Sequence, residues 1–429
     1  MAVKENGGGA ARPRHILFQE GDMSSYLNRR TWLKTSAAAV AGWIAGPHLA
    51  ASGAGRFLRP DPGPGRFVKL NSNESHFGIS EAAREAIVNA LGGCSVYPDD
   101  DYHELKELIA VRESLEPENI ILGAGSIEVV TAALHVYMSK GGALASDPTY
   151  YDFADYAAKA RCPLHQAALT DQYDLDLEAM EKRIGSSIGL VYLCNPQNPT
   201  GTITSHPRLR PFCRTASRKA LVVLDEAYGD YVEDPAYSSM VDLVREGENV
   251  LVTRTFSKAY GLAGLRIGYG MARPDIIRNL SQMERNFAPV SSLALRAAVA
   301  SYKDAAFVRK VRQHNQEVKA SMYKELQRLG YAFIPSHANF ILIRVLPDSR
   351  ELAKKLEARS VLVRAFHFGD TNWIRVSLGT GEEMKVFVAH LEDLGAAMEG
   401  GGVPARIDAA PRSNCRGNQP VQSAGAMAS

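Results

Sequence analysis

Lys258 is the residue whose type and position indicate chemistry most directly. An apolar run at 250–253 predicts a short strand before it, so its amine should leave the strand end and enter a site. An amine held in this way can form a Schiff base with an aldehyde. Arg266 can return to the same site as a cation for a phosphate, and Thr255 and Ser257 add hydroxyl donors. A Ser-Lys pair on its own is more often a solvated surface feature. The neighbouring motifs therefore decide whether Lys258 belongs to a site.

Four further polar motifs stand directly after predicted apolar strands. Open α/β sheets bind ligands in the crevice at the carboxyl ends of their strands, so we expect these motifs to meet there. Five loops, including that of Lys258, would then converge on one ligand. The four motifs are Gly123-Ala124-Gly125-Ser126, Asp147-Pro148-Thr149-Tyr150-Tyr151, Asn195-Pro196-Gln197-Asn198-Pro199-Thr200-Gly201 and Asp225-Glu226-Ala227-Tyr228.

The first of these motifs predicts an anion site. It lies between a strand at 119–122 and a helix at 127–138, where exposed backbone N–H groups and the helix dipole attract negative charge. The third glycine of a dinucleotide fingerprint is missing, which disfavours NAD. Ala124, Gly125 and Ser126 are therefore predicted to hold a phosphate.

Together the motifs resemble those of fold-type I pyridoxal-phosphate enzymes, the aspartate-aminotransferase superfamily, and within it the histidinol-phosphate aminotransferases. The resemblance covers about residues 66–398. It implies pyridoxal 5'-phosphate as cofactor, transamination as reaction and a homodimer with shared active sites. It also implies an α/β fold: a large domain with a mostly parallel, seven-stranded sheet sandwiched by helices, and a smaller α+β domain.

The resemblance also implies the catalytic roles. Lys258 would hold the cofactor aldehyde and move the substrate proton, and Asp225 would pair with the ring nitrogen. Tyr228 and Asn198 would share the cofactor's phenolate oxygen. A strand-end Asp can instead cap a helix, and that alternative stays open for Asp225.

Two tyrosines are matched to the cofactor by the resemblance. Tyr150 would stack on the cofactor ring, with Tyr151 as the local rival and ordinary core packing as the alternative. Tyr97 would reach across the dimer interface to the partner's cofactor phosphate. A surface turn is the alternative for the Tyr97-Pro98 pair.

Substrate contacts are expected from both ends of the matched region. Arg375 corresponds to the family's fork for the substrate α-carboxylate, and Arg364 to a second arginine, with an exposed strand position as its alternative. An arm with Asn73 enters the site, and Phe77 stands where a tyrosine is usual. Because Phe77 has no hydroxyl for a phosphate, we predict an α-amino acid donor in preference to histidinol phosphate. His76 is the residue that can replace the missing donor.

The amino-terminal region predicts export. Arg29-Arg30-Thr31-Trp32-Leu33-Lys34 precedes a short Ala-rich run and resembles a twin-arginine signal, with a chance Arg-Arg in a leader as the alternative. Met23 is a plausible start for that signal. The expected location is periplasmic or exported through the twin-arginine machinery, or cytoplasmic if the signal does not function.

The chain is divided by composition and by the resemblance into six segments. They are a leader at 1–54, a Pro- and Gly-rich linker at 55–65, an arm and part of the small domain at 66–100, the large cofactor domain at 101–325, the small domain at 326–399 and a disordered tail at 400–429.

Composition excludes several classes of function. Lys+Arg 49 against Asp+Glu 47 gives a net charge of +2, which argues against a general nucleic-acid or membrane surface. None of the five cysteines forms a Cys-x-x-Cys pair, so no zinc site or disulfide framework is indicated. Two alternatives to transamination remain: a lyase or decarboxylase on the same scaffold, and a non-enzymatic cofactor-sensing module.

Overall fold

A computed structural model describes residues 67–283 and 290–398, with side chains up to residue 395. Seven strands form the larger sheet, in the order β2-β8-β7-β6-β5-β3-β4. Only β8 runs antiparallel to its neighbours, and the other pairs are parallel. The strands are β2 (Ile120–Gly123), β3 (Gly142–Asp147), β4 (Leu164–Ala168), β5 (Ile188–Cys194), β6 (Leu221–Asp225), β7 (Val250–Thr255) and β8 (Gly268–Met271).

The centre of this sheet is apolar on both faces because helices cover both. Every residue of β5 and β6 is buried. Along β6, Val222 and Leu224 pack into one hydrophobic cluster, and Leu221 and Val223 into the cluster on the opposite face. Continuous apolar strands of this kind are typical of parallel sheets between two helical layers.

Polar side chains cap the amino termini of several helices. Ser80 caps the first helix by accepting a hydrogen bond from the Ala83 N–H, and Asp304 caps the longest by accepting one from Phe307. The helices are α1 (Glu81–Ala90), α2 (Asp99–Glu113), α3 (Ser126–Tyr137), α4 (Tyr151–Lys159), α5 (Leu177–Glu181), α6 (His206–Ser217), α7 (Val241–Arg245), α8 (Pro274–Ser281), α9 (Ser292–Lys303), α10 (Ala305–Arg328), α11 (Ser349–Glu357) and α12 (Gly381–Met398).

A smaller antiparallel sheet, in the order β12-β13-β10-β9, is covered by α11 and α12. A separate parallel pair, β1 with β11, joins the amino-terminal arm to this part of the chain. The strands are β1 (Val68–Lys69), β9 (Phe333–Ile334), β10 (Phe340–Val345), β11 (Val361–Leu362), β12 (Arg364–Phe368) and β13 (Thr371–Ser377). The predicted α/β fold, with a mostly parallel sheet between helices and a smaller α+β part, is confirmed.

The run 361–364 divides at Val363, because β11 pairs with β1 whereas β12 pairs with β13. The predicted leader (1–54), linker (55–65) and tail (400–429) lie outside the described residues, and the six-segment division stays a prediction. No helix in the described ranges is long and apolar enough to cross a membrane.

Candidate active site

A cleft of about 310 Å³ lies at the carboxyl ends of the parallel strands. It is lined by residues from all five of the strand-end motifs. The predicted site residues that line it are Ser126, Tyr150, Asn198, Asp225, Tyr228, Thr255, Ser257, Lys258 and Arg266.

Lys258 follows β7 and directs its amine to the amino-terminal arm. Its Nζ donates to the carbonyl oxygens of Asn73 at 3.0 Å and of Ser72 at 3.3 Å. Burial, and then the positive charge of Arg375, lower the pKa of Lys258 to about 8. A larger fraction of this amine is therefore neutral near pH 7 than for an ordinary lysine, which suits attack on an aldehyde.

Asp225 ends β6, and both of its carboxylate oxygens are held by the chain. Oδ1 accepts from the Ala227 N–H at 3.1 Å, and Oδ2 accepts from the Tyr192 hydroxyl at 2.8 Å. Burial raises the pKa of Asp225, and these two hydrogen bonds act against that rise. The alternative of a helix cap is not what the structure shows, because the bond from Ala227 closes a local turn and the next helical turn begins only at Gly229.

Tyr228 is surrounded by amide donors. Its hydroxyl oxygen accepts from Asn73 Nδ2 at 2.9 Å and from Asn198 Nδ2 at 3.2 Å. Arg375 in turn donates to Asn198 Oδ1 at 2.6 Å and to the Asn71 carbonyl at 3.1 Å. Because both lone pairs of the Tyr228 oxygen are occupied, its own proton is available to donate into the cleft.

The small-residue loop before α3 uses two of its N–H groups internally. The Ala124 N–H donates to the Glu128 carboxylate, and the Gly125 N–H donates to the Gly123 carbonyl at 2.7 Å. Ser126 and Ile127, the first two residues of α3, line the cleft instead. An anion at this helix terminus would therefore meet the N–H groups of Ser126 and Ile127 and the Ser126 hydroxyl, rather than the N–H groups of Ala124 and Gly125. Glu128 was not selected from the sequence.

Arg266 lies against this helix terminus. Its Nη1 is 3.4 Å from Ser257 Oγ and its Nη2 is 3.4 Å from the Ala124 carbonyl. Gly125 has a φ of +87°, and a Cβ there would lie 2.4 Å from Arg266 Nη2, so the arginine needs a glycine at this position. With Thr255, whose hydroxyl accepts from the Ser257 N–H at 3.1 Å, these groups form a cationic, donor-rich cup at one end of the cleft.

The position of that cup depends on β8. A Cβ at Gly268 would lie 2.2 Å from the backbone nitrogen of Ser126. The amino terminus of α3 can approach the sheet this closely only because β8 presents a glycine there.

The structure separates the two rival tyrosines. Tyr150 lines the cleft, and its hydroxyl donates to Asp152 Oδ2 at 2.5 Å. Tyr151 begins α4 and lies outside the cleft lining, with the Arg364 guanidinium 4.2 Å above its ring. Tyr150 is thus the aromatic ring available to a bound planar group.

Besides Ala124 and Gly125, four predicted residues on other elements are not in the cleft lining. Tyr97 is 73% exposed. Phe77 packs edge-to-face on His314, with ring centroids 4.6 Å apart. Asn73 is buried behind Lys258 and Tyr228 rather than exposed to the cleft. Arg364 lies directly opposite Arg375 in the β12–β13 register.

Arg375 also lies behind the lining residues, and His76 is placed away from the cleft. Arg375 is 3% exposed, buried among Asn198, Phe340 and Phe366. His76 is 5% exposed, with Nδ1 2.7 Å from Glu383 Oε2. In the described ranges, no group of His, Cys, Asp and Glu side chains could hold a metal ion.

The fold and this cleft define a pyridoxal-phosphate enzyme of the aminotransferase type, and the chain belongs to the class I and II aminotransferases, whose family model matches residues 66–391. Among its relatives, histidinol-phosphate aminotransferase of Moorella thermoacetica is 39% identical over 76% of this chain and 85% of that protein. Histidinol-phosphate aminotransferase 1 of Cupriavidus pinatubonensis is 37% identical over 76% and 87%. The crystal structure of the Sinorhizobium meliloti histidinol-phosphate aminotransferase in complex with pyridoxal-5'-phosphate is 28% identical, with a TM-score of 0.73 over 78% of this chain and 92% of that one.

The residues of the cleft fit pyridoxal 5'-phosphate, the cofactor of the family. The cup around Arg266 and Ser126 suits its phosphate, and Lys258 has the lowered pKa needed to bind its aldehyde. When bound, the cofactor supplies an electron-accepting ring that makes the substrate's α-proton acidic. With the cofactor bound, Lys258 would take and return that proton, Asp225 would hold a proton on the ring nitrogen, and Tyr228 would donate its hydroxyl proton toward the ring oxygen. Tyr150 would cover one side of the ring.

Proposed function

We propose that this aminotransferase moves the amino group between an α-amino acid and a 2-oxo acid, with Arg375 binding the substrate carboxylate. The charge of Arg375 carries the proposal. The guanidinium is 3% exposed, and no acidic side chain of the described residues lies within 4.0 Å of it. Its Nε has no hydrogen-bond partner there either.

A buried cation without an anion is costly, and burial lowers the pKa of Arg375 to about 10. A substrate carboxylate would supply the missing charge and accept hydrogen bonds from the guanidinium. Arg375 would therefore bind every substrate that carries a carboxylate, the amino donor and the oxo acid alike.

Arg375→Lys tests this assignment, because lysine keeps the charge and loses the fork of donors. Losing one hydrogen bond to a charged group costs about 1.5–3 kcal/mol, so kcat/KM for amino acids should fall at least about tenfold. Arg344→Lys is a matched control on the neighbouring strand β10 and should leave kcat/KM unchanged. Equal effects of the two changes would refute the role of Arg375. Measuring oxo acid and ammonia together separates transamination from β-elimination, since only elimination releases ammonia.

A second amino donor class, phosphorylated amines such as histidinol phosphate, is favoured by two observations. Arg364 lies opposite Arg375 in register, which places two cations on one end of the small sheet, and the relatives named above are histidinol-phosphate aminotransferases. Phe77 argues against this class, because it has no hydroxyl to donate to a phosphate. His76 is buried beside Glu383, which argues against its replacing the missing donor.

The predicted preference for an α-amino acid therefore stands as our proposal. It is tested by comparing kcat/KM for histidinol phosphate with that for phenylalanine and leucine. Loss of one phosphate hydrogen bond should weaken histidinol phosphate by about tenfold or more. Arg364→Ala is a second test. It should lower kcat/KM for a phosphorylated amine and leave kcat/KM for amino acids unchanged. A clear preference of the wild-type enzyme for histidinol phosphate would reject the proposal and leave the aminotransferase function standing.

We also propose a homodimer with shared active sites. Exposed apolar side chains on α1 and the segment after it support a contact surface: Val88 (54%), Leu91 (58%), Val96 (69%) and Tyr97 (73%). If Tyr97 serves the partner's site, mixing Lys258→Ala with Tyr97→Ala should form heterodimers that hold one intact site. Activity recovered on mixing two inactive variants supports sharing. A monomer in sedimentation, or no recovery from verified heterodimers, would exclude it.

Export by the twin-arginine route is a further proposal, supported by the string at 29–34 and its fit to a machinery that carries folded, cofactor-loaded proteins. Arg29 and Arg30 changed together to Lys should keep the enzyme in the cytoplasm. Fractionation that finds the unaltered protein already in the cytoplasm would refute export.

A further inference from the structure

Tyr192 contacts the catalytic carboxylate from outside the cleft. It lies on β5, is fully buried, and donates its hydroxyl proton to Asp225 Oδ2 at 2.8 Å. Its ring is stacked on Phe153 of α4, with centroids 4.0 Å apart and planes 9° from parallel. Because packing fixes the ring, it also fixes the direction of the hydroxyl. Tyr192 is not part of the cleft lining, so it acts on substrate only through another residue.

The buried surroundings of Asp225 make its charge depend on this hydrogen bond. The ionisable groups that face Asp225 are Tyr192, Cys194, Tyr150, Tyr228 and Lys258, together with its neighbour Glu226. Burial raises the pKa of the three phenols and the thiol, which keeps these groups neutral, and Glu226 is paired with Arg254 at 3.0 Å. A buried carboxylate so placed tends to take up a proton unless donors stabilise its charge.

We propose that Tyr192 is a positioning residue for transamination: its hydroxyl fixes the Asp225 carboxylate and lowers its basicity, so that the proton between this carboxylate and the cofactor stays on the ring nitrogen. The inference rests on the aminotransferase function. Without the hydroxyl, the more basic carboxylate draws that proton to itself, and the ring accepts electrons less well.

Tyr192→Phe removes one oxygen and keeps the stack on Phe153. In the holoenzyme carrying cofactor with a ¹⁵N-labelled ring, the nitrogen resonance should move toward its unprotonated position. kcat should fall about tenfold, the effect of one hydrogen bond to a charged group, with KM little changed. Tyr137→Phe is the matched control: Tyr137 is buried in the same hydrophobic cluster and its hydroxyl interacts with Asn279. It should change neither value.

A double-mutant cycle separates this role from a structural one. In an Asp225→Asn background, Tyr192→Phe should have no further effect on the resonance or on kcat, since its partner is already gone. An equal loss in both backgrounds, or an unchanged resonance in Tyr192→Phe, would overturn the proposal.

If Tyr192→Phe does not fold, difluorotyrosine at position 192 keeps the packing. As a stronger donor it should move the ring-nitrogen resonance further toward its protonated position, and no change would count against the role. Failure of the aminotransferase function itself would appear in the wild-type protein as absent amino transfer.

Discussion

Raising the pH should stabilise the cofactor-free protein through Lys258. The pKa of this amine is lowered from 10.5 to about 8, first by burial and then by the charge of Arg375. The unfolded chain keeps the lysine protonated up to about pH 10.5, whereas the folded protein releases that proton above about pH 8. The unfolded state thus binds more protons between these values, and the free energy of unfolding must rise with pH across that window.

The size of the effect follows from the two pKa values. At about 1.4 kcal/mol for each pH unit, the difference between 10.5 and about 8 corresponds to at most about 3.5 kcal/mol. Lys258 lines an open cleft. Water there screens the charge, so we expect about 2 kcal/mol.

Urea unfolding of the cofactor-free protein across this pH window measures the rise. Lys258→Met should remove about 2 kcal/mol of it. Lys319→Met is the matched control: burial also lowers the pKa of Lys319 to about 8, and its Nζ donates to the Ser336 carbonyl at 2.8 Å, outside the cleft lining. It should remove a similar part of the rise and leave cofactor attachment intact. Parallel curves for the wild type and Lys258→Met would refute the assignment of a lowered pKa to Lys258.

Three further outcomes test the site. Lys258→Ala should abolish turnover but leave the cofactor bound non-covalently; borohydride should fix the cofactor to Lys258 in the wild type, and labelling of another lysine would contradict its role. Asp225→Ala should raise the barrier by several kcal/mol, order of magnitude only, with a smaller change in cofactor affinity, because other groups bind the phosphate; kcat near that of the wild type would show that the carboxylate is dispensable. Glu128→Gln should tighten cofactor binding about threefold, because it removes a negative charge beside the phosphate cup and keeps an acceptor for the Ala124 N–H; weaker binding, read from the dissociation constant, would show that the charge orders the loop.

The buried centre of the sheet was predictable because its strands are continuous apolar runs. The apolar runs at 189–194 and 220–224 agree with β5 and β6 to within one residue at each end. Two other strands gave no such signal. Strand β4 is at the sheet edge and three of its five residues are exposed or carry polar side chains, and β8 is rich in glycine because α3 lies on it. The residue types in β4 and β8 are determined by packing against residues that are distant in the chain.

Some residues of the site were also predictable from the sequence, and others were not. Lys258, Asp225 and Asn198 were found because each follows an apolar strand within a distinctive motif. Tyr192 was missed because a tyrosine in a buried strand looks like ordinary core, and only the sheet register that places β5 beside β6 brings it to Asp225.

Asn73 has a consequence for how the protein is made. Its side-chain and backbone bonds reach Tyr228, Lys258 and Ser377, which lie 155, 185 and 304 residues further along the chain. Contacts of such separation form late, because much chain must be ordered before they close. During synthesis the arm can have no docking partner at β13 until Ser377 has left the ribosome. Until then the central sheet can assemble, but its catalytic amine lacks the carbonyl that orients it, so the nascent chain passes most of its synthesis without a complete active site.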